Sequence, residues 1–485
     1  MKRIVILLMV ALLGNAMAQQ AVLSKGMETK HVDAANISDG LYLGSYEGLD
    51  CWVFVGKKQL KQLVMTDQNL ETLNVIDLPG SNKCDVLTGS IEGKIASVLV
   101  ANQSEKQRTA VLVYRLDLDS LVAVGPADTV ELFTYERKDK CMVWGATSAN
   151  KRYNAFVGIV QFTEKKQYRT EIRLFDASMN PLWETEFALG SMYDLTVTDD
   201  GTVVTLGTER EGEENHFVFN IVSEHKANTY DVVIKCDPVN EPRLIGVVAS
   251  QAMVMGLFTP TEQADNADSY SGGLVGMAFD INSASLSGFV MHPYQNEDIN
   301  ILYNKKTKKV QHEQLAEYVK VLGFTTTPYG AAIAVGRRYR SDYTEANGTI
   351  KSTYCAMGIH CMAVDTAGQL RWVRNFRRDD RQVGDDFLLR MSMLSHNDDV
   401  CLIKSEAPKA PTVYDIAKES PELKMGDKNH LMMYSINPSG DVNKMAIENK
   451  TKHSLLRSFF RSDGTLMLLT ARGSKTRLAQ LKFTE

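Results

Sequence analysis

The chain has no cysteine framework, no apolar run long enough to span a bilayer and almost no helical periodicity. Each absence closes off a class of protein. The seven cysteines, Cys51, Cys84, Cys141, Cys236, Cys355, Cys361 and Cys401, are an odd and widely spread set. Such a set does not make a disulfide-stapled scaffold. Most sit in or beside apolar alternating stretches such as DCWVFVG and DVCLIK, where a small buried hydrophobe is expected. Cys355 and Cys361 flank the start of a candidate hairpin, and a bridge between them stays open. No CxxC and no Cys/His pair at ligand spacing is present, so no metal and no cofactor are expected.

The motifs of common catalytic sites are missing too. There is no G-x-S-x-G, no H-E-x-x-H, no P-loop and no G-x-G-x-x-G. The stretch HEQLAEY, from His312, opens like a zinc-protease helix but lacks the second histidine. The nine histidines are scattered and read as surface or hydrogen-bonded residues. The DNAD segment lacks the alternating ligands of a calcium loop. A net charge of −5 leaves no basic stripe for nucleic acid.

What is present begins at the N-terminus. Lys2 and Arg3 precede an apolar run, Ile4 to Leu13, and Ala16-Met17-Ala18 forms a small-residue cleavage site. This is the pattern of a secretory signal over residues 1–18. No cysteine follows it to carry a lipid. Residues 19–485 are then expected as one exported domain without a transmembrane segment: periplasmic, outer-membrane-associated or extracellular.

Two motifs recur along that domain. LFDASMNPLWETEF and AVDTAGQLRWVRNF share a frame in which Asp176 and Trp183, like Asp365 and Trp372, stand seven apart. MYSINPSGDVNKMAI keeps the turn as Asn437 and Gly440, with Lys444 at the Trp position. Asp or Asn followed by Gly three residues later is turn chemistry between alternating strands, and the Trp is a plug between sheets. The second motif is a strand, a tight turn and a strand, as in VTDDGTVVTLG and FRSDGTLMLLT. Its copies centre near Gly48, Gly93, Asn150, Gly201, Gln251, Gly330, Asp398 and Gly464. The first four spacings run from 45 to 57 residues and the last three from 66 to 79. Each unit has room for four short strands. Short helices fit only KKVQHEQLAEYV (308–319) and VYDIAKESPEL (413–423).

Units of this size that cannot bury two sheet faces alone must stack and close into a ring. An all-β propeller of eight four-stranded blades follows, with seven as the alternative. Too few residues follow Gly464 to complete a last blade. The segment around AVLSKGMETKHV is expected to supply its outer strand, pairing the two termini and hiding an open edge.

AVDTAGQLRW resembles the outer hairpin of quinoprotein-type propellers, a superfamily with eight blades. The style also resembles secreted propeller proteins of the Bacteroidota. The vicinal cysteines of the catalytic quinone enzymes are absent here.

Function is expected on the longer units. Insertions near 259–273, 294–314, 338–360 and 405–430 all fall on one face, where a rigid scaffold presents loops for binding. They carry Tyr270, Tyr294, Tyr303, Arg337, Arg338, Tyr339, Arg340, Tyr343, Tyr354 and Tyr414. Tyr and Arg are favoured at interface hot spots. From these, Tyr270, Arg337, Arg338, Tyr339, Arg340, Tyr343, Tyr354 and Tyr414 form the candidate binding set. Arg371, Arg374, Arg377, Arg378 and Arg381 either grip an anionic glycan or acidic partner, or lie on a solvated strand paired with Asp379, Asp380, Asp385 and Asp386. The reading is a monomeric, non-enzymatic propeller that binds a protein or glycan, with an envelope assembly scaffold as one role. The alternative is a carbohydrate-active hydrolase or lyase with its site at the channel.

Overall fold

The computed structural model describes residues 20–25, 37–56, 61–78, 84–164, 167–187, 192, 194–224, 226–259, 272–303, 319–344, 348–383, 389–406, 429–461, 463–472 and 475–484. Strand β1 (Gln20–Lys25) is set aside until the last blade. Blade 1 is β2 (Ile37–Tyr46), β3 (Leu49–Gly56), β4 (Lys61–Thr66) and β5 (Thr72–Leu78). Blade 2 is β6 (Cys84–Glu92), β7 (Ile95–Asn102), β8 (Arg108–Asp117) and β10 (Asp128–Thr134), with the short β9 (Val122–Ala123) also pairing β8. Blade 3 is β11 (Lys140–Thr147), β12 (Tyr153–Phe162), β13 (Gln167–Asp176) and β14 (Pro181–Phe187). Blade 4 is β15 (Asp194–Val197), β16 (Val203–Glu211), β17 (Glu214–Ser223) and β18 (Lys226–Lys235). Blade 5 is β19 (Val239–Val248), β20 (Gln251–Phe258), β21 (Gly273–Asp280) and β22 (Ser285–Pro293), and helix α1 (Asn296–Tyr303) follows it. Blade 6 is β23 (Val319–Thr327), β24 (Gly330–Thr344), β25 (Ile350–Asp365) and β26 (Leu370–Val383). Blade 7 is β27 (Met391–His396), β28 (Asp399–Glu406), β29 (Asn429–Ile436) and β30 (Val442–Thr451). Blade 8 is β31 (Ser454–Phe460), β32 (Leu466–Arg472) and β33 (Lys475–Thr484), with β1 outermost.

The first strands of successive blades touch in order from β2 to β31, and β31 meets β2. The sheets therefore form a closed ring of eight, a β-propeller. β1 pairs antiparallel with β33 from Gln20↔Thr484 to Lys25↔Ala479, so the termini share a blade as expected. All eight inner turns fall at the positions read from the sequence.

The core lies in the seams between blades. Eight main clusters of buried apolar side chains occur, each built from two neighbouring sheets. The second strands are covered on both faces, as in the buried run Ala252–Phe258, and so read as unbroken apolar stretches. The tryptophans of the repeated frame plug seams. Trp372 is buried against Tyr434 and Ile436 of blade 7, and Trp183 packs at the seam of blades 3 and 4. At the closing seam, Phe459 of blade 8 stacks on Tyr42 at 4.6 Å and meets Trp52 edge-on at 4.6 Å.

Asx chemistry fixes the outer hairpins. Asp365 accepts from the amides of Ala367 and Gln369 through one carboxylate oxygen, and Gly368 takes φ 72°. Asn437 repeats this with Ser439 and Asp441, and Asp176 with Asn180. The opening stretch of the repeat is thus turn and packing, a structural role.

The seven cysteines are all free thiols. Cys355 and Cys361 lie on one strand, β25, six residues apart, which sets them roughly 20 Å from each other and rules out a bridge. The two short helices expected at 308–319 and 413–423 fall outside the described residues apart from Val319, which opens β23.

Candidate binding face and a buried histidine–aspartate cluster

In a four-stranded meander the second-to-third loops and the links between blades share one face of the ring. Among the described residues, blade 6 places its extra residues there. The segment 338–360 is not an irregular loop. β24 and β25 run 15 and 16 residues, against ten or fewer for the strands of the other blades. β23 pairs with β24 only as far as Arg337. Beyond it, β24 and β25 continue paired from Arg338↔Ala356 to Thr344↔Ile350. β26 follows β25 out to Thr353↔Val383. The blade thus carries a sheet extension projecting roughly 23 Å past its first strand.

Strand alternation splits the candidate residues between two faces of this extension. Arg338, Arg340 and Tyr354 share one face, with Arg340 opposite Tyr354. Arg337 and Tyr339 occupy the other, and Tyr343 is placed only by its backbone pairing with Lys351. The Arg340 guanidinium stands 5.8 Å over the Tyr354 ring and pairs with Asp342 at 2.7 Å. Arg337 stands 4.7 Å over the Tyr339 ring. Ile350, at the far end, is 68% exposed. Tyr270 and Tyr414 lie outside the described residues.

Two arginines of β26, Arg377 and Arg378, depart from both sequence readings, whereas Arg371 is exposed and Arg374 half-buried. Arg378 is fully buried, pairs with Asp380 and donates to the Leu389 carbonyl at 2.7 Å. Arg377 is also buried. Arg374 reaches across the seam to the Gly440 carbonyl, and Arg371 lies 5.1 Å over the Tyr329 ring. The Arg–Asp pairing holds for Arg378, but the strand is not solvated there: its charges sit inside, held by partners as buried ions must be. Arg381 opposes Cys355 in the strand register.

A cluster that sequence reasoning missed sits where α1 docks on blade 6. The helix opens with a capping arrangement: Asp298, at its third position, accepts the Gln295 amide at 2.7 Å. Ile299 and Leu302 bury in the seam of blades 5 and 6. Gly358 of β25 lets the helix approach. It takes φ 57°, and a Cβ there would stand 2.5 Å from the Ile301 carbonyl oxygen. This seating brings Asp298 between His292, at the end of β22, and His360 of β25. His292 Nε2 lies 3.6 Å from Asp298 Oδ2 and His360 Nδ1 lies 3.3 Å from Oδ1. Asn375 of β26 donates to Asp298 Oδ1 at 2.6 Å and sets its own amide oxygen 2.6 Å from His360 Nδ1. Burial opposes ionisation of Asp298, but the two imidazoles and the Asn375 amide outweigh it and hold the carboxyl well below its ordinary range. The Tyr294 ring stands edge-on to His360 at 5.2 Å. Acidic Glu297 and Asp298 just ahead of Ile299 were a legible helix-start signal. The 68-residue gap between the histidines hid the rest.

On the opposite face a cleft of about 640 Å³ opens among the inner strands of blades 3 to 6, lined by Thr147, Thr196, Asp199, Asp200, Ser250 and Thr326 among others. Its carboxylates are engaged in turns. Asp199 accepts the Asn150 amide at 2.8 Å, and Asp200 binds Thr198 and the Thr202 amide.

No protein-family profile and no curated protein sequence matches the chain. Solved structures match as folds. Prolyl oligopeptidase B from Galerina marginata is 8% identical with a TM-score of 0.42, the match covering 92% of this chain and 56% of that one. The chain thus spans little more than half the length of that enzyme. The WD40 domain of SCAP from fission yeast is 9% identical with a TM-score of 0.39, covering 96% and 94%. The propeller domain of the Trilobed protease from Pyrococcus furiosus is 10% identical with a TM-score of 0.32, covering 86% and 98%. The likeness is one of fold alone.

Proposed function

We propose that this is an exported, non-enzymatic binding propeller that engages a protein or glycan partner through the face bearing the blade 6 extension, as an assembly scaffold of a bacterial envelope does. The sequence resemblance to quinoprotein-type and Bacteroidota propellers belongs to this reading. The observation that carries it is the sheet extension itself. It projects past the blade while the ring is already closed by β1, so closure does not account for it. Arg340 over Tyr354 and Arg337 over Tyr339 present flat, polar-edged contact area on its two faces.

The test is an envelope-extract pull-down and a glycan array. Both compare the protein with a variant in which residues 339–355 are replaced by a two-residue turn after Arg338. Binding that disappears while β-rich circular dichroism and melting persist supports the reading. Binding that survives in the shortened protein overturns it.

A further inference from the structure

We propose that His292, Asp298 and His360 form a site for one divalent transition-metal ion of the Zn2+ type, which staples α1 to blades 5 and 6. Their ligand atoms, one from each residue, all lie within 4.8 Å of one another. Two imidazoles and a carboxylate are the donor set that such ions select, whereas Ca2+ and Mg2+ prefer oxygen alone.

The separations carry the argument further than the residue types. Neighbouring ligands of an ion bound at about 2.1 Å stand roughly 3.0–3.4 Å apart. The 3.3 Å and 3.6 Å separations from the Asp298 oxygens to the two imidazoles are close to such ligand edges. Both exceed the usual length of a charge-assisted hydrogen bond, about 2.7–2.9 Å. A second observation is independent of spacing. His292 Nε2, His360 Nε2 and the Tyr294 hydroxyl are buried polar atoms with no hydrogen-bond partner. The His360 side chain is fully buried and Tyr294 is 7% exposed. Of these atoms, His292 Nε2 is the one that faces Asp298 and that an ion would engage; leaving such a group unmade costs about 1–3 kcal/mol, and a ligand removes that cost.

The surroundings supply what a metal site needs beyond its ligands. Asn375 donates to Asp298 Oδ1 and orients that carboxylate, as outer-shell partners of metal ligands do. The three ligands come from β22, α1 and β25, and an ion joining them fixes the helix at the root of the projecting sheet.

The experiment is titration of the untagged, chelator-stripped full-length protein with Zn2+ by calorimetry, and with Co2+ by visible absorption. The variants are H292A, which removes the ligand at the rim, and H360Q. One equivalent should bind, Co2+ should show the bands of a nitrogen- and oxygen-ligated ion, and Zn2+ should raise the melting temperature. H292A should bind at least about 100-fold more weakly while melting as the stripped wild type does. If H360Q does not fold, the comparison of wild type with H292A decides alone. Failure of the wild type to bind one equivalent, or equal binding by H292A, overturns the site and leaves a proton-held clamp. Neither result bears on the extension's role, which the pull-down reads separately.

Discussion

Asp50 is the carboxylate on which ring closure turns, and removing it has a calculable cost. Its side chain is 1% exposed and accepts three hydrogen bonds: Tyr42 Oη at 2.8 Å, Ser45 Oγ at 2.6 Å and Arg461 at 2.9 Å. Arg461 belongs to the first turn of blade 8, so the ion pair ties the last blade to the first. Breaking a buried pair costs about 3–5 kcal/mol. Arg461 keeps Asp463 at 2.6 Å, which places D50A near the lower end, about 3 kcal/mol. For a chain of this length the unfolding entropy is about 1 kcal/mol per kelvin, so the melting temperature should fall by roughly 3 °C if unfolding is cooperative. The sharper readout is a double-mutant cycle of D50A and R461A in urea. A coupling of about 1–3 kcal/mol is expected. Additive single mutants would refute the claim that this pair fastens the ring.

Glu171 is pushed up to about 7 by burial and by the neighbouring Glu131 carboxylate, against the pull of Arg173. Its folded form therefore holds a proton that the unfolded chain releases near pH 4.5. The associated stability is complete below that pH and lost as pH rises through 7. E171Q should match the wild type in urea at pH 4.5 and exceed it by about 1–2 kcal/mol at pH 8; a variant gaining nothing at pH 8 contradicts this. W372A empties the plug between blades 6 and 7 and should cost about 3–5 kcal/mol in the same assay. G358A forces a Cβ against the Ile301 carbonyl and should raise hydrogen exchange in α1 while sparing blades 1 to 3. Uniform protection in both regions would show that the helix is not seated there.

The ring was legible because its turns are written in residue chemistry. Gly201 and Gly464 take φ 86° and 77° in inner turns, and Asp365 and Asn437 close outer ones through their own side chains. These are local devices and survive in sequence. The blade 6 extension was read as loop because, beyond Arg337, its strands mostly lack a core face, so polar residues sit on both sides and no alternation marks them. The arginines of β26 misled for a related reason. Charge suggests solvent, but Arg378 is enclosed by Asp380 of its own strand and by the Leu389 carbonyl beyond the strand's end. The histidine cluster was invisible because it joins three elements across a seam, and only the docking of an eight-residue helix brings them together.

The most direct test of the account is photo-crosslinking in envelope extract. A photoreactive residue is placed at Ile350, at the far end of the extension, or at exposed Ser120, in an outer turn on the opposite face. A discrete crosslinked partner from position 350 alone is the predicted result. The same adduct from position 120, or adducts from neither, would contradict a function carried by that face.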